Sequence, residues 1–62
     1  MTLRSYYVIE WKWAAEPAHT SWTRNGTKYA TFEEAVERLA WEYSGEPVSS
    51  RIVKITEEVV SQ

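Results

Sequence analysis

The chain has 62 residues, of which 44% are hydrophobic and 15% aromatic, with four Trp, four Tyr and no Cys. That length makes one domain, residues 1–62, able to bury only about 60% of the surface its unfolded form exposes, and the missing thiols exclude disulfide staples and Cys-based zinc sites. Seven Lys and Arg stand against nine acidic residues, all of them Glu, and the net charge of −2 gives the molecule as a whole no long-range attraction for a phosphate backbone.

The first predicted element is the run from Tyr6 to Trp13, rich in aromatic and β-branched residues. Tyr7, Ile9, Trp11 and Trp13 share one parity, and Glu10 and Lys12 fall on the other, the period of a strand with one buried face. Tyr6 and Val8 make the first part of the second face apolar enough to be covered as well. The chain from Met1 reaches this strand without an apolar leader, and no run approaches the roughly 18–20 apolar residues that span a bilayer. The expectation is a soluble, cytoplasmic chain with no membrane partner.

Ala14 to His19 has small residues, Pro17 and no periodicity, and reads as a loop closing a hairpin. Beyond it, 20–24 and 27–29 are strand-like and are separated by Asn25-Gly26, the pair that tolerates a type I′ turn. Two arrangements fit: a tight ribbon of two short strands, or a pairing of Trp22–Arg24 with the first strand that leaves Asn25-Gly26 as a loop before the helix. Asn25-Gly26-Thr27, formally a glycosylation sequon, reads as a turn in either case.

Thr31-Phe32-Glu33-Glu34 is a helix start. The Thr31 hydroxyl can accept from the Glu34 amide, and the Glu34 carboxylate can return to the Thr31 amide. Phe32, Ala35, Val36, Leu39, Ala40 and Tyr43 then form an apolar stripe, with Glu33, Glu37, Arg38 and Glu42 mostly outside it. Gly45 supplies the left-handed position that ends the helix, and Pro47 prevents its resumption. The last element, 50–56, is a β-branched strand continuing toward Val59, expected to lie beside the first strand with Val53 and Ile55 under the helix; Ser61-Gln62 reads as a fraying tail. The predicted architecture is a two-layer α+β domain, an antiparallel sheet of three or four strands with one helix packed on one face.

The residues argue against catalysis. His19 is the only His, and Asp and Cys are absent, so no Ser-His-Asp triad, Cys-His pair or aspartic dyad can be assembled. Glu33, Glu34, Glu37 and Glu42 read as a solvated helix face, too few in oxygen ligands for a hard cation. Gly26 and Gly45 are too few and too far apart for a phosphate-cradling loop, so no cofactor is expected.

Binding remains. Trp22 sits in a polar Thr/Ser/Arg setting, and Trp41 lies at the rim of the helix stripe; together with Tyr6, Arg24 and Arg38 they form the expected contact surface for a protein partner. The alternative is a nucleic-acid-binding domain in which Trp13, Trp22, Arg24, Lys28 and Tyr29 form a stacking platform. An uncovered edge, such as Thr20 to Arg24, offers a place for a partner strand or for a second copy in a homodimer.

Two resemblances bear on these readings. The stretch from Thr23 to Ala35, with its Asn25-Gly26 turn and Thr31-Phe32-Glu33-Glu34-Ala35 helix start, resembles small three-stranded DNA-binding domains such as the arm-binding domains of tyrosine recombinases. The plan of Tyr-Tyr-Val-Ile near the start, Thr-Phe-Glu-Glu-Ala-Val-Glu-Arg-Leu in the helix and Arg-Ile-Val-Lys-Ile-Thr-Glu-Glu-Val at the end is similar to small accessory proteins of bacteriophages and prophages. The second resemblance implies a stoichiometric modulator or inhibitor of a host enzyme or defence complex, with Glu33, Glu37 and Glu42 imitating nucleic acid toward a basic target.

Overall fold

The computed structural model describes residues 2–60; the expectation for Ser61-Gln62 lies outside them. The chain runs through β1 (Thr2–Trp13), β2 (Thr23–Arg24), α1 (Phe32–Glu42) and β3 (Val48–Val59). The three strands form one antiparallel sheet in the order β2-β1-β3 with the helix on one face, so the α+β architecture expected from the sequence is the one observed. β1 and β3 pair along all twelve residues of each, from Thr2 opposite Val59 to Trp13 opposite Val48. The result is long and thin, 43 × 26 × 13 Å.

The register decides which side chains meet the helix. Ile9 stands opposite Ile52, and both pack with Tyr7, Tyr29, Ala35, Leu39 and Tyr43. Ile9 and Ala35 are fully buried, and the small Ala35 side chain lets the helix approach the sheet closely. Val53 and Ile55, expected beneath the helix, lie on the opposite face across from Val8 and Tyr6. The reason is the pairing of Ile9 with Ile52, which gives the odd-numbered positions of β3 to the other side.

The helix covers only the middle of the sheet. Phe32, expected in the core, is 51% exposed and meets Tyr7 edge-on at 6.0 Å. Trp13, also expected in the core, is 48% exposed at the strand end and stands edge-to-face with Trp11 at 5.6 Å.

Thr31 caps the helix as its spacing implies, its hydroxyl accepting from the Glu34 amide at 3.2 Å. The Glu34 carboxylate reaches one residue further back than expected and accepts from the Ala30 amide at 3.3 Å. Gly45, at φ +83°, takes the left-handed conformation past the helix end that an L side chain rarely adopts.

Of the two arrangements open for Asn25-Gly26, the loop is observed. Thr23 and Arg24 pair with Trp11 and Glu10, the Asn25 amide donates to the Ile9 carbonyl, and the chain returns to β1 at Tyr29, which exchanges two backbone hydrogen bonds with Tyr7. Residues 25–28 therefore bulge from a single interrupted edge, and no fourth strand forms among the described residues. The Asn25 side chain holds the bulge by accepting from the Thr27 amide at 3.0 Å and donating to the Tyr43 hydroxyl at 3.3 Å.

Candidate binding face

The side of the sheet turned away from the helix is built from the even-numbered residues of β1 and the odd-numbered residues of β3, with Arg24, Trp22 and Lys28 added from the interrupted edge. At its centre is a carboxylate. Glu10 is 7% exposed, and its two oxygens are divided between two arginines. Arg24 donates to Oε2 through Nε at 3.1 Å and Nη2 at 2.9 Å, and Arg51 donates to Oε1 through Nε at 2.8 Å and Nη2 at 2.7 Å. Hydrogen bonds from Arg24, then from Arg51, hold the Glu10 carboxyl below its ordinary value of 4.5, against the opposing pull of desolvation. A single buried charge with two charged donors leaves the cluster one positive charge in excess, and about half of each arginine side chain remains open to solvent.

The aromatic rings of this face are flanked by cations. The Arg51 guanidinium lies 4.3 Å from the Trp22 ring and the Lys12 ammonium 4.9 Å from it. At the other end Lys28 lies 4.8 Å from the Tyr6 ring, beside a shallow hollow lined by Arg4, Tyr6, Lys28 and Glu57 among others. Between the two aromatic sites, Val8 is buried across from Val53. Trp22 is thus half-buried, with Lys12 and Arg51, both distant from it in sequence, sitting over its ring.

Five of the seven basic residues, Arg4, Lys12, Arg24, Lys28 and Arg51, lie on this face, and Glu10 and Glu57 are the acidic residues that the strand register places there. The face carries a net charge of +3 in a chain whose net charge is −2, so the rest of the molecule, chiefly the outer side of the helix and the loops, carries −5. Composition averages over this division.

The five residues expected to form one contact surface are split. Tyr6, Trp22 and Arg24 lie on the open sheet face. Trp41 and Arg38 lie on α1, on the far side of the domain, where the Arg38 guanidinium stacks at 5.2 Å from the Trp41 ring and pairs with Glu42 at 3.4 Å. Trp41 is 75% exposed and borders a shallow depression with Tyr29, Glu34 and Glu37. The physical reason is the helix itself, which occupies the odd face of β1 and turns its own outer side away from everything on the even face. Trp13 and Tyr29, members of the stacking platform expected from sequence, are also on the helix side, Tyr29 within the core.

Lys12, Arg51 and Glu10 went unremarked as binding residues in the sequence. Glu10 and Arg51 are 41 residues apart, and only the strand register brings them together. Among the described residues no three His or Glu side chains are placed to hold a metal ion, and no helix is long and apolar enough to cross a membrane. Comparison of the chain with protein-family models, with curated proteins and with solved structures finds no match.

Proposed function

We propose that the open sheet face binds single-stranded nucleic acid. The observation that carries this reading is the segregation of charge: a +3 face bearing two aromatic rings, on a chain that is acidic overall. From Arg4 to Lys12 the cations occupy a stripe roughly 27 Å long at the rise of an antiparallel strand, enough for several phosphates of an extended strand. Cations supply affinity by displacing counterions, and rings and guanidinium planes offer surfaces on which bases stack without regard to sequence. Glu10 contributes by positioning: it fixes two guanidiniums side by side, so less side-chain freedom is lost when a phosphate arrives. The acidic helix side repels the same ligand and confines it to the sheet.

The test is a titration of the protein with single- and double-stranded oligonucleotides across a salt series, read by tryptophan fluorescence and by anisotropy of a labelled oligonucleotide. Three neutralised phosphates on a single strand predict a slope of log affinity against log salt of about −2. Absence of binding at low salt sinks the reading, and preference for the duplex removes its single-strand part.

A second reading rests on Trp41. An indole 75% exposed and stacked by Arg38 has the composition of a protein-binding hot spot. On this reading the helix side docks a protein, in keeping with a stoichiometric modulator of a host complex. Affinity capture from bacterial lysate with the parent and with Trp41→Ala checks it: a specific partner captured equally by both leaves Trp41 with no part in the contact.

A further inference from the structure

β3 is an edge strand of twelve residues that, among the described residues, pairs only with β1. Its outer side carries a row of unpaired backbone groups, without a Pro or a covering element to blunt it. Which residues contribute follows from the other edge. Tyr7 exchanges both its backbone hydrogen bonds with Tyr29, and the Ile9 carbonyl accepts from Asn25, so the odd-numbered residues of β1 direct their backbone groups toward β2. Their partners on β3 are even-numbered, beginning with Lys54 opposite Tyr7, and in an antiparallel ladder such pairs turn their backbone groups away from each other. Ile52, Lys54, Thr56 and Glu58 therefore present their N–H and C=O groups outward.

Two copies of β3 joined across a two-fold axis perpendicular to the sheet keep like faces together, so only residues of equal parity can stand opposite one another. Two registers bring opposite charges together. Pairing centred on Lys54 sets Arg51 against Glu57, but it also sets Lys54 against its own copy, and it draws on charges already used: Arg51 by Glu10 and Glu57 by Arg4 at 3.2 Å. Pairing centred on Thr56 sets Lys54 against Glu58 twice and places no like charges opposite each other. Neither Lys54 nor Glu58 has an ion-pair partner among the described residues. The same register sets Val53 against Val59 on the open face, and on the helix face gives Ile52 a neighbour in Val60, which is 79% exposed in the single chain.

From these observations we infer that the protein forms a homodimer by antiparallel pairing of β3 with the β3 of a second copy, centred on Thr56. The product is a six-stranded sheet with both helices on one side and both basic faces on the other. The dimer is independent of the nucleic-acid reading and is measured without any ligand; where both hold, it doubles the length of the cationic surface.

Sedimentation equilibrium on the full chain, across micromolar to millimolar concentration, tests the association. Lys54→Glu or Glu58→Lys alone should weaken it at least about tenfold, because each places like charges opposite one another twice, and the double exchange should restore it. Thr56→Cys gives a direct reading of register in a chain that has no other thiol. At the axis the two Cα atoms stand about 5.5 Å apart, within disulfide range, so mild oxidation should yield a covalent dimer; in Lys54→Cys the two thiols are offset by four residues and should not cross-link. A monomer at every concentration overturns the proposal. Single exchanges that leave the association unchanged, or cross-linking of Lys54→Cys as readily as Thr56→Cys, overturn the register.

Discussion

The two faces of the β1–β3 sheet are held by different physics. On the helix side, Ile9, Tyr29 and Ala35 form a small apolar core with no charged member, and the attraction is removal of surface from water. On the open side, the buried centre pairs an apolar residue, Val8, with an ionised one, Glu10, and what keeps that centre together is a carboxylate shared between two arginines. The first arrangement tolerates only close packing; the second leaves excess positive charge at the surface, which an apolar core cannot do. A domain of this size with little apolar volume to bury thus uses one face for folding and keeps charge in reserve on the other.

The largest expected effect comes from breaking the apolar face. Ile9→Ala removes a fully buried side chain beneath Ala35 and should cost about 3–4 kcal/mol, enough to unfold much of the population of a small domain. Urea denaturation followed by circular dichroism measures it; a cost below about 1 kcal/mol would mean that the helix is not held at this point.

Glu10→Gln breaks the charged face. Removing one member of a buried ion pair costs about 3–5 kcal/mol, and since both arginines are half exposed and can turn to solvent, about 1–2 kcal/mol is expected here. The pH dependence has a definite sign. The folded state depresses the Glu10 pKa, so its contribution is complete above the ordinary value of 4.5 and is lost as pH falls through the lower folded value. Stability of the parent should therefore fall more steeply than that of Glu10→Gln as the pH is lowered below 4.5. The same substitution raises the charge of the face from +3 to +4 but frees the two guanidiniums that Glu10 orients, so oligonucleotide affinity should fall despite the added charge, and tighter binding would remove the positioning role of Glu10.

How much of this was legible in the sequence differs between the faces in the same way. The α+β architecture, the Thr31 cap, the Gly45 stop and the burial of Ile9 follow from parity, capping geometry and helical spacing, all of which act over a few residues. Val53 and Ile55 lie on the side opposite to the one expected because parity names the members of a face without naming the face, and the register that decides it depends on a partner strand some forty residues away. Glu10 was hidden for that reason. An alternating Glu and Lys reads as solvated until Arg24 and Arg51 are brought across it by neighbouring strands. Trp22 and Trp41 stood out correctly as residues that periodicity does not place in the core, but their opposite locations require the helix to be set on the sheet.

The smallest effect on stability is expected at Trp41. The side chain is 75% exposed, and Trp41→Ala should change the free energy of unfolding by no more than about 0.5 kcal/mol, checked by the same denaturation. A larger cost would make the ring part of the fold and weaken its reading as a docking residue.

On the proposed function the open sheet face, and not the helix side, meets an anionic ligand. Charge reversal on each side, measured against one labelled single-stranded oligonucleotide at low salt, tests it most directly. Lys12→Glu combined with Lys28→Glu turns the +3 face to −1 and should abolish binding, whereas Arg38→Glu on α1 adds negative charge to the far side and should change the affinity by less than about threefold. Equal losses from both variants, or an unchanged affinity in the double lysine variant, would contradict the account.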